Sequence, residues 1–283
     1  MIIIGNEFLR VEIAERGAEI KSIISNGKEY VWSGDPDVWA SSCPVLFPIC
    51  GGLKNNKYIF EGREYHLPKH GFLRRKTFIV ESFDSESAVF LFSGDDETKA
   101  SYPFLYEIRI KYTLFEKTLN IDYNIKNTAD TPMYFNIGSH EGYFTPEGIE
   151  EYDIVFEQNE NLNHTVLDGN ILTNETVPIL NNTSVLPLSE EYFKEDALVF
   201  TDIKSRTVTL KDRRGTREIK VDYPDDKYLL FWHVPNAKFI CIEPWNGIPD
   251  RPLSSYDITQ KEGITKLDGN SQFKHTHSIT IIK

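Results

Sequence analysis

Period two dominates the order of hydrophobic and polar positions along the chain. Tyr106-Glu107-Ile108-Arg109-Ile110-Lys111-Tyr112-Thr113-Leu114 alternates strictly, and Leu119-Asn120-Ile121-Asp122-Tyr123-Asn124-Ile125 answers it after Glu116-Lys117. Each predicts a strand with one apolar and one polar face, because successive side chains on extended backbone point to opposite sides. Ile20–Ile24, then Asn26-Gly27, then Lys28–Trp32 predict a hairpin, since tight two-residue turns need positive φ and Asn and Gly tolerate it best. Tyr58–Leu67 predicts a second hairpin, and Thr77–Ser82 with Ala88–Phe92 a third. Further strands are expected at Phe8–Ile13, Met133–Ile137, Thr207–Leu210, Glu218–Tyr223 and Ser278–Ile282. Only Ser189–Asp196 reads as a short helical turn. Asn159–Pro187, rich in Asn and Thr, reads as a long excursion without regular structure. Many strands at short spacing with almost no helix predict an all-β chain, a large antiparallel sandwich or barrel. Residues 1–283 are read as one domain.

One stretch breaks the alternation. Phe239-Ile240-Cys241-Ile242 is a continuous apolar run, as expected of a strand buried on both faces. It ends in Glu243-Pro244-Trp245. Glu243 shares a strand face with Phe239 and Cys241, so its carboxylate is aimed along a buried surface. Such a group is costly to desolvate unless it is paired or used. Placement alone favours a structural carboxylate held by backbone donors or an arginine.

Composition narrows the function. The net charge is −12, which disfavours general binding to nucleic acid or anionic membrane and favours a small neutral ligand. The three cysteines, Cys43, Cys50 and Cys241, have no CxxC spacing and read as reduced, packed thiols of a cytoplasmic protein. No signal-peptide pattern and no membrane-spanning run is evident.

Three more segments place ionisable residues in unusual settings: Ser42–Leu53, an apolar loop punctuated by Pro and Gly; Leu67–Arg75, with His70; and Phe135–Phe144, with His140. Each histidine is next to a glycine-containing turn, where backbone can approach a ligand. Singly, each is as readily structural as functional. Two histidines with a strand-end glutamate suggest acid/base chemistry. Together, Pro44-Val45-Leu46-Phe47-Pro48, His70-Gly71-Phe72-x-Arg74, Gly138-x-His140, Asp196-Ala197-Leu198-Val199-Phe200 and Cys241-Ile242-Glu243-Pro244-Trp245 resemble, in the same order, the aldose 1-epimerase (galactose mutarotase-like) superfamily, most closely its LacX-like bacterial branch.

The resemblance implies a β-supersandwich with a sugar cleft, no cofactor and no metal. It makes His140 the general acid for the ring oxygen of a pyranose and Glu243 the base for the anomeric hydroxyl. His70, Arg74, Asp196 and Trp245 would hold the sugar; a sugar-binding relative without turnover would also stack Tyr143 and Phe72 on it, although core packing is the commoner fate of such aromatics. A monomer or a homodimer would serve. Two positions depart from the family pattern. Gly52 stands where relatives carry an arginine, whose charged hydrogen bond to a hydroxyl would be worth roughly 1.5–3 kcal/mol. Glu141 stands where relatives continue with proline; a carboxylate there would either raise the His140 pKa or point to solvent.

The rival readings are a hexose-6-phosphate 1-epimerase, using the basic run Lys69, Arg74, Arg75 and Lys76, and a sugar-binding protein without turnover. A solvated strand edge is the simpler account of that run, Arg74 excepted. His275-Thr276-His277 would put two imidazoles on one strand face, a conceivable metal pair, but near the chain end it reads as surface.

Overall fold

A computed structural model describes residues 1–283. The two alternating segments form strands Tyr106–Phe115 and Thr118–Asn127, paired in register around Glu116. They lie inside a nine-stranded antiparallel sheet. Its order is Ile171–Pro187, Tyr152–Asp168, Thr207–Asp212, Glu218–Asp222, Gln272–Ile281, Thr118–Asn127, Tyr106–Phe115, Ser87–Ser93 and Ile79–Phe83. The apolar faces of these strands turn inward because burying a methylene is worth about 0.8 kcal/mol.

A second sheet runs in the order Leu198–Phe200, Tyr228–Trp232, Phe239–Trp245, Gly138–Ser139 and Val45–Leu46, with Glu141–Phe144 also paired to Phe239–Trp245. One cluster of 62 buried residues joins Ile108, Tyr112, Ile121 and Ile279 of the large sheet to Phe231, Ile240 and Ile242 of the second, so the two sheets share an interior. The chain is all-β, as its pattern predicts. The Asn26-Gly27 hairpin forms with φ of 49° and 73°, the left-handed backbone this turn demands. A four-stranded sheet from Ile2–Gly5 to Lys28–Glu29 contains that turn.

Three expectations are corrected. Asn159–Pro187 is not irregular: Tyr152–Asp168 and Ile171–Pro187 form one long hairpin. Its register shifts repeatedly between Val155 and Leu167, so period two is broken and the strands do not read as strands. Asp96–Ser101 is a helix whose start is set by a capping box between Asp95 and Thr98, too short to carry a helical period. The strand expected at Ser278–Ile282 begins earlier, at Gln272, and buries His275 and His277 at 3% and 1% exposure instead of presenting them to solvent. No helix is long and apolar enough to cross a membrane.

Candidate active site

Every residue of Phe239–Trp245 is buried, yet Pro244 has no N–H to give a neighbouring strand. The neighbour is interrupted there. Gly138 pairs with Trp245, Glu141 pairs with Ile242, and Ser139 and His140 lie between the two pairings, opposite Glu243-Pro244. The Trp245 indole N–H donates to the Ser139 carbonyl at 2.9 Å and holds the interruption in place. Freed from the ladder, His140 brings Nε2 to 3.4 Å from Glu243 Oε1.

This pair lies in a cavity of about 270 Å³, near the lower end for small-molecule sites. His70, Arg74, Asp196 and Trp245 line the same cavity. His70 is buried and sits on left-handed backbone at φ 66°, a conformation a residue other than glycine keeps only where its surroundings hold it. Its N–H donates to the Gly51 carbonyl at 2.8 Å, and its Nδ1 accepts the Gly51 N–H at 3.1 Å. In the neutral ring Nε2 therefore carries the proton and is left to donate. Asp196 caps its own strand through the Ala197 N–H and stands 3.9 Å from Lys69 Nζ.

Burial sets the protonation of the catalytic candidates. It pulls the His140 pKa down to about 3, assisted by the Arg74 and Lys69 cations. It pushes the Glu243 carboxyl well above its ordinary value, against the pull of Lys69. His70 is held well below its ordinary value by burial, then by His140 and the same two cations. In the unliganded site the His140–Glu243 pair thus holds one proton, and burial favours the form in which both groups are neutral. That leaves a proton donor and a lone pair side by side.

Some of the expected site residues stand elsewhere. Tyr143 and Phe72 are buried in the core and line no part of the cavity. Trp39 and Trp232 line it instead, with their rings 5.1 Å and 5.5 Å from the His140 ring. Lys69 is a cavity residue, not a solvated edge, whereas Arg75 is exposed and Lys76 pairs with Asp95 and Glu97. Leu167 and Asn170, from the tip of the long hairpin, close one wall. Lys69 apart, none of these carried a sequence signal: a tryptophan and a hairpin tip read alike in a core, on a surface or in a site.

Glu141 neither points to solvent nor raises the His140 pKa. It turns to the opposite side of the strand, is 2% exposed, and accepts from His277 Nε2 at 3.0 Å. Next to it His275 pairs with buried Asp226 at 3.1 Å. His275 and His277 do share one face, and acids meet them there. The grouping with metal-ligand geometry is instead His140, Cys241 and Glu243, whose ligand atoms lie within 4.8 Å of one another. An imidazole, a thiolate and a carboxylate suit a soft divalent cation, which would occupy the lone pairs that proton transfer requires. All three cysteines are free and buried, and burial raises each thiol well above its usual range.

Comparison with known proteins adds the lineage. The family profile described as aldose 1-epimerase matches residues 1–254. The chain belongs to the aldose 1-epimerase family. Among relatives in this family, the plasmid-encoded protein LacX of Lactococcus lactis subsp. lactis is 31% identical, the match covering 98% of each chain. The structure of a galactose mutarotase related enzyme from Lactobacillus acidophilus is 31% identical, with a TM-score of 0.95 and coverage of 100% of this chain and 97% of that one. A galactose mutarotase-like protein from Lactobacillus casei is 26% identical, with a TM-score of 0.94 and 99% of each chain covered.

Proposed function

We propose that the protein interconverts the α and β anomers of an aldose, with His140 and Glu243 exchanging one proton across the sugar. The observation that carries this is the 3.4 Å pairing of Nε2 and Oε1 inside a cavity lined by further hydrogen-bonding groups. A bound pyranose donates its anomeric O–H to Glu243 and accepts at its ring oxygen from His140. Those contacts stabilise the ionised form, so the proton shifts from Glu243 to His140. His140 then protonates the ring oxygen as Glu243 removes the anomeric proton, and the C1–ring oxygen bond breaks. Rotation about C1–C2 and closure on the other face invert C1 while the two groups reverse roles. Acid/base assistance of this kind contributes about 10²–10⁴-fold, or about 3–5.5 kcal/mol. His70 Nε2–H, Arg74 and Asp196 supply hydroxyl contacts, and Trp245 supplies an apolar face.

A second reading, a 6-phosphorylated hexose as substrate, is supported by Lys69 and Arg74 on the same cavity, since a guanidinium suits phosphate. Exchange NMR between anomers, over a panel of aldoses and their 6-phosphates, tests both readings. Acceleration by wild type that is lost in Glu243→Gln and His140→Asn is the expected result. Saturable binding without acceleration would make the protein a sugar-binding relative with no turnover.

A further inference from the structure

We propose that Asn170, at the tip of the long hairpin, is a sugar-contacting residue, and that position 52 is glycine because the docked tip fills the space a side chain would need. This rests on the cavity being a sugar site, though not on turnover.

The tip is fastened to the two loops that frame the cavity. Gly52 N–H donates to the Asn170 carbonyl at 3.1 Å, Asp250 N–H to the Gly52 carbonyl at 2.9 Å, and Leu172 N–H to the Asp250 carbonyl at 2.8 Å. Asp250 is itself fixed, buried against Lys261 Nζ at 3.0 Å. A Cβ built on Gly52 would fall 2.5 Å from both the Asn170 Cβ and the Asn170 carbonyl oxygen. Those atoms belong to the backbone and the root of a side chain, so they cannot swing aside. A residue with a side chain at 52 and a docked tip therefore exclude one another.

The space at position 52 is thus taken by the hairpin tip packed directly against it. Asn170 lines the cavity and is exposed, and its side-chain amide makes no hydrogen bond within the protein. The exchange alters chemistry as well as position. A guanidinium only donates and carries charge, whereas an amide donates and accepts and is neutral. At this end the cavity is matched to an uncharged hydroxyl, which can both give and take a hydrogen bond, and not to a phosphate or carboxylate. The long hairpin then has a task its sequence does not advertise: it carries one polar group to the sugar.

The test compares wild type with Asn170→Ala, Gly52→Ala and the double variant. KM and kcat come from anomer exchange on the best neutral aldose. Sugar affinity comes from calorimetry with each change placed on Glu243→Gln, and melting curves check that each variant is folded. Loss of one hydrogen bond should raise KM and Kd about ten-fold in Asn170→Ala with kcat retained. Gly52→Ala should match it, and the double variant should be no worse than either, because both remove one contact. Unchanged KM and Kd in Asn170→Ala, or additive losses in the double variant, would overturn the proposal. Asn170-sensitive binding without turnover in wild type would sink the epimerase reading and leave this one standing. Absence of both binding and turnover would sink both.

Discussion

Two histidine–carboxylate pairs start from adjacent residues of the chain and are put to different uses. His140 turns to the cavity and meets Glu243 at 3.4 Å; Glu141 turns to the core and meets His277 at 3.0 Å. In the first pair burial drives both groups toward neutrality, and the Arg74 and Lys69 cations press His140 further the same way. In the second, burial pulls the His277 pKa down, yet the Glu141 charge and hydrogen bond, with Asp226 and Asp122, lift it above its ordinary value. Cations around an imidazole free its proton, and acids around it fix the charge. The same residue types make the proposed proton exchanger in one setting and a pairing between sheets in the other.

Breaking the two pairs separately should separate activity from stability. The largest effect is expected at the cavity. Glu243→Gln and His140→Asn should each lower kcat by about 10²–10⁴-fold while the melting temperature stays close to wild type. Next comes the core pair, where His277→Leu leaves Glu141 buried and unpaired. Denaturant unfolding should register a loss of about 3–5 kcal/mol, with kcat per folded molecule nearly unchanged. Equal loss of activity in the two sets would erase the distinction.

Proton dependence sharpens the contrast further. With the His140 pKa pulled down to about 3 and that of Glu243 raised, the cavity pair keeps one proton through the mildly acidic range. The kcat/KM profile should therefore run flat through pH ~6.5, where a free histidine would titrate; a break there would count against the pairing. The smallest effect concerns His277. Its folded pKa is raised, so its contribution to stability is complete below the unfolded value of about 6.5 and is lost as pH climbs through the folded value. The gap in unfolding free energy between wild type and His277→Gln should narrow toward alkaline pH.

Much of the fold could be read from the chain because its strands are half-buried: Tyr106–Phe115 and Thr118–Asn127 alternate without a break. The site strand was equally visible as an apolar run ending in Glu243-Pro244. The long hairpin was hidden by its bulges, which scramble the alternation. Within the site, His70 and Glu243 stand beside glycine or proline, and His140 lies between Gly138 and Gly142, where sequence marks an odd backbone. Trp39, Trp232 and Asn170 reach the cavity through tertiary packing alone. The partners of Glu141, His275 and His277 were beyond sequence for the same reason, since His277 meets Glu141 from a strand of the other sheet.

The three sealed thiols give the molecule a built-in clock. Cys43 lies in the apolar loop, Cys50 is packed with Trp245, and Cys241 is on the strand that carries Glu243. Burial keeps each in the unreactive thiol form. An alkylating reagent can therefore mark only molecules whose walls have momentarily parted. Mass spectrometry that resolves the three sites would time each wall separately, and a bound sugar would slow whichever of them it holds shut.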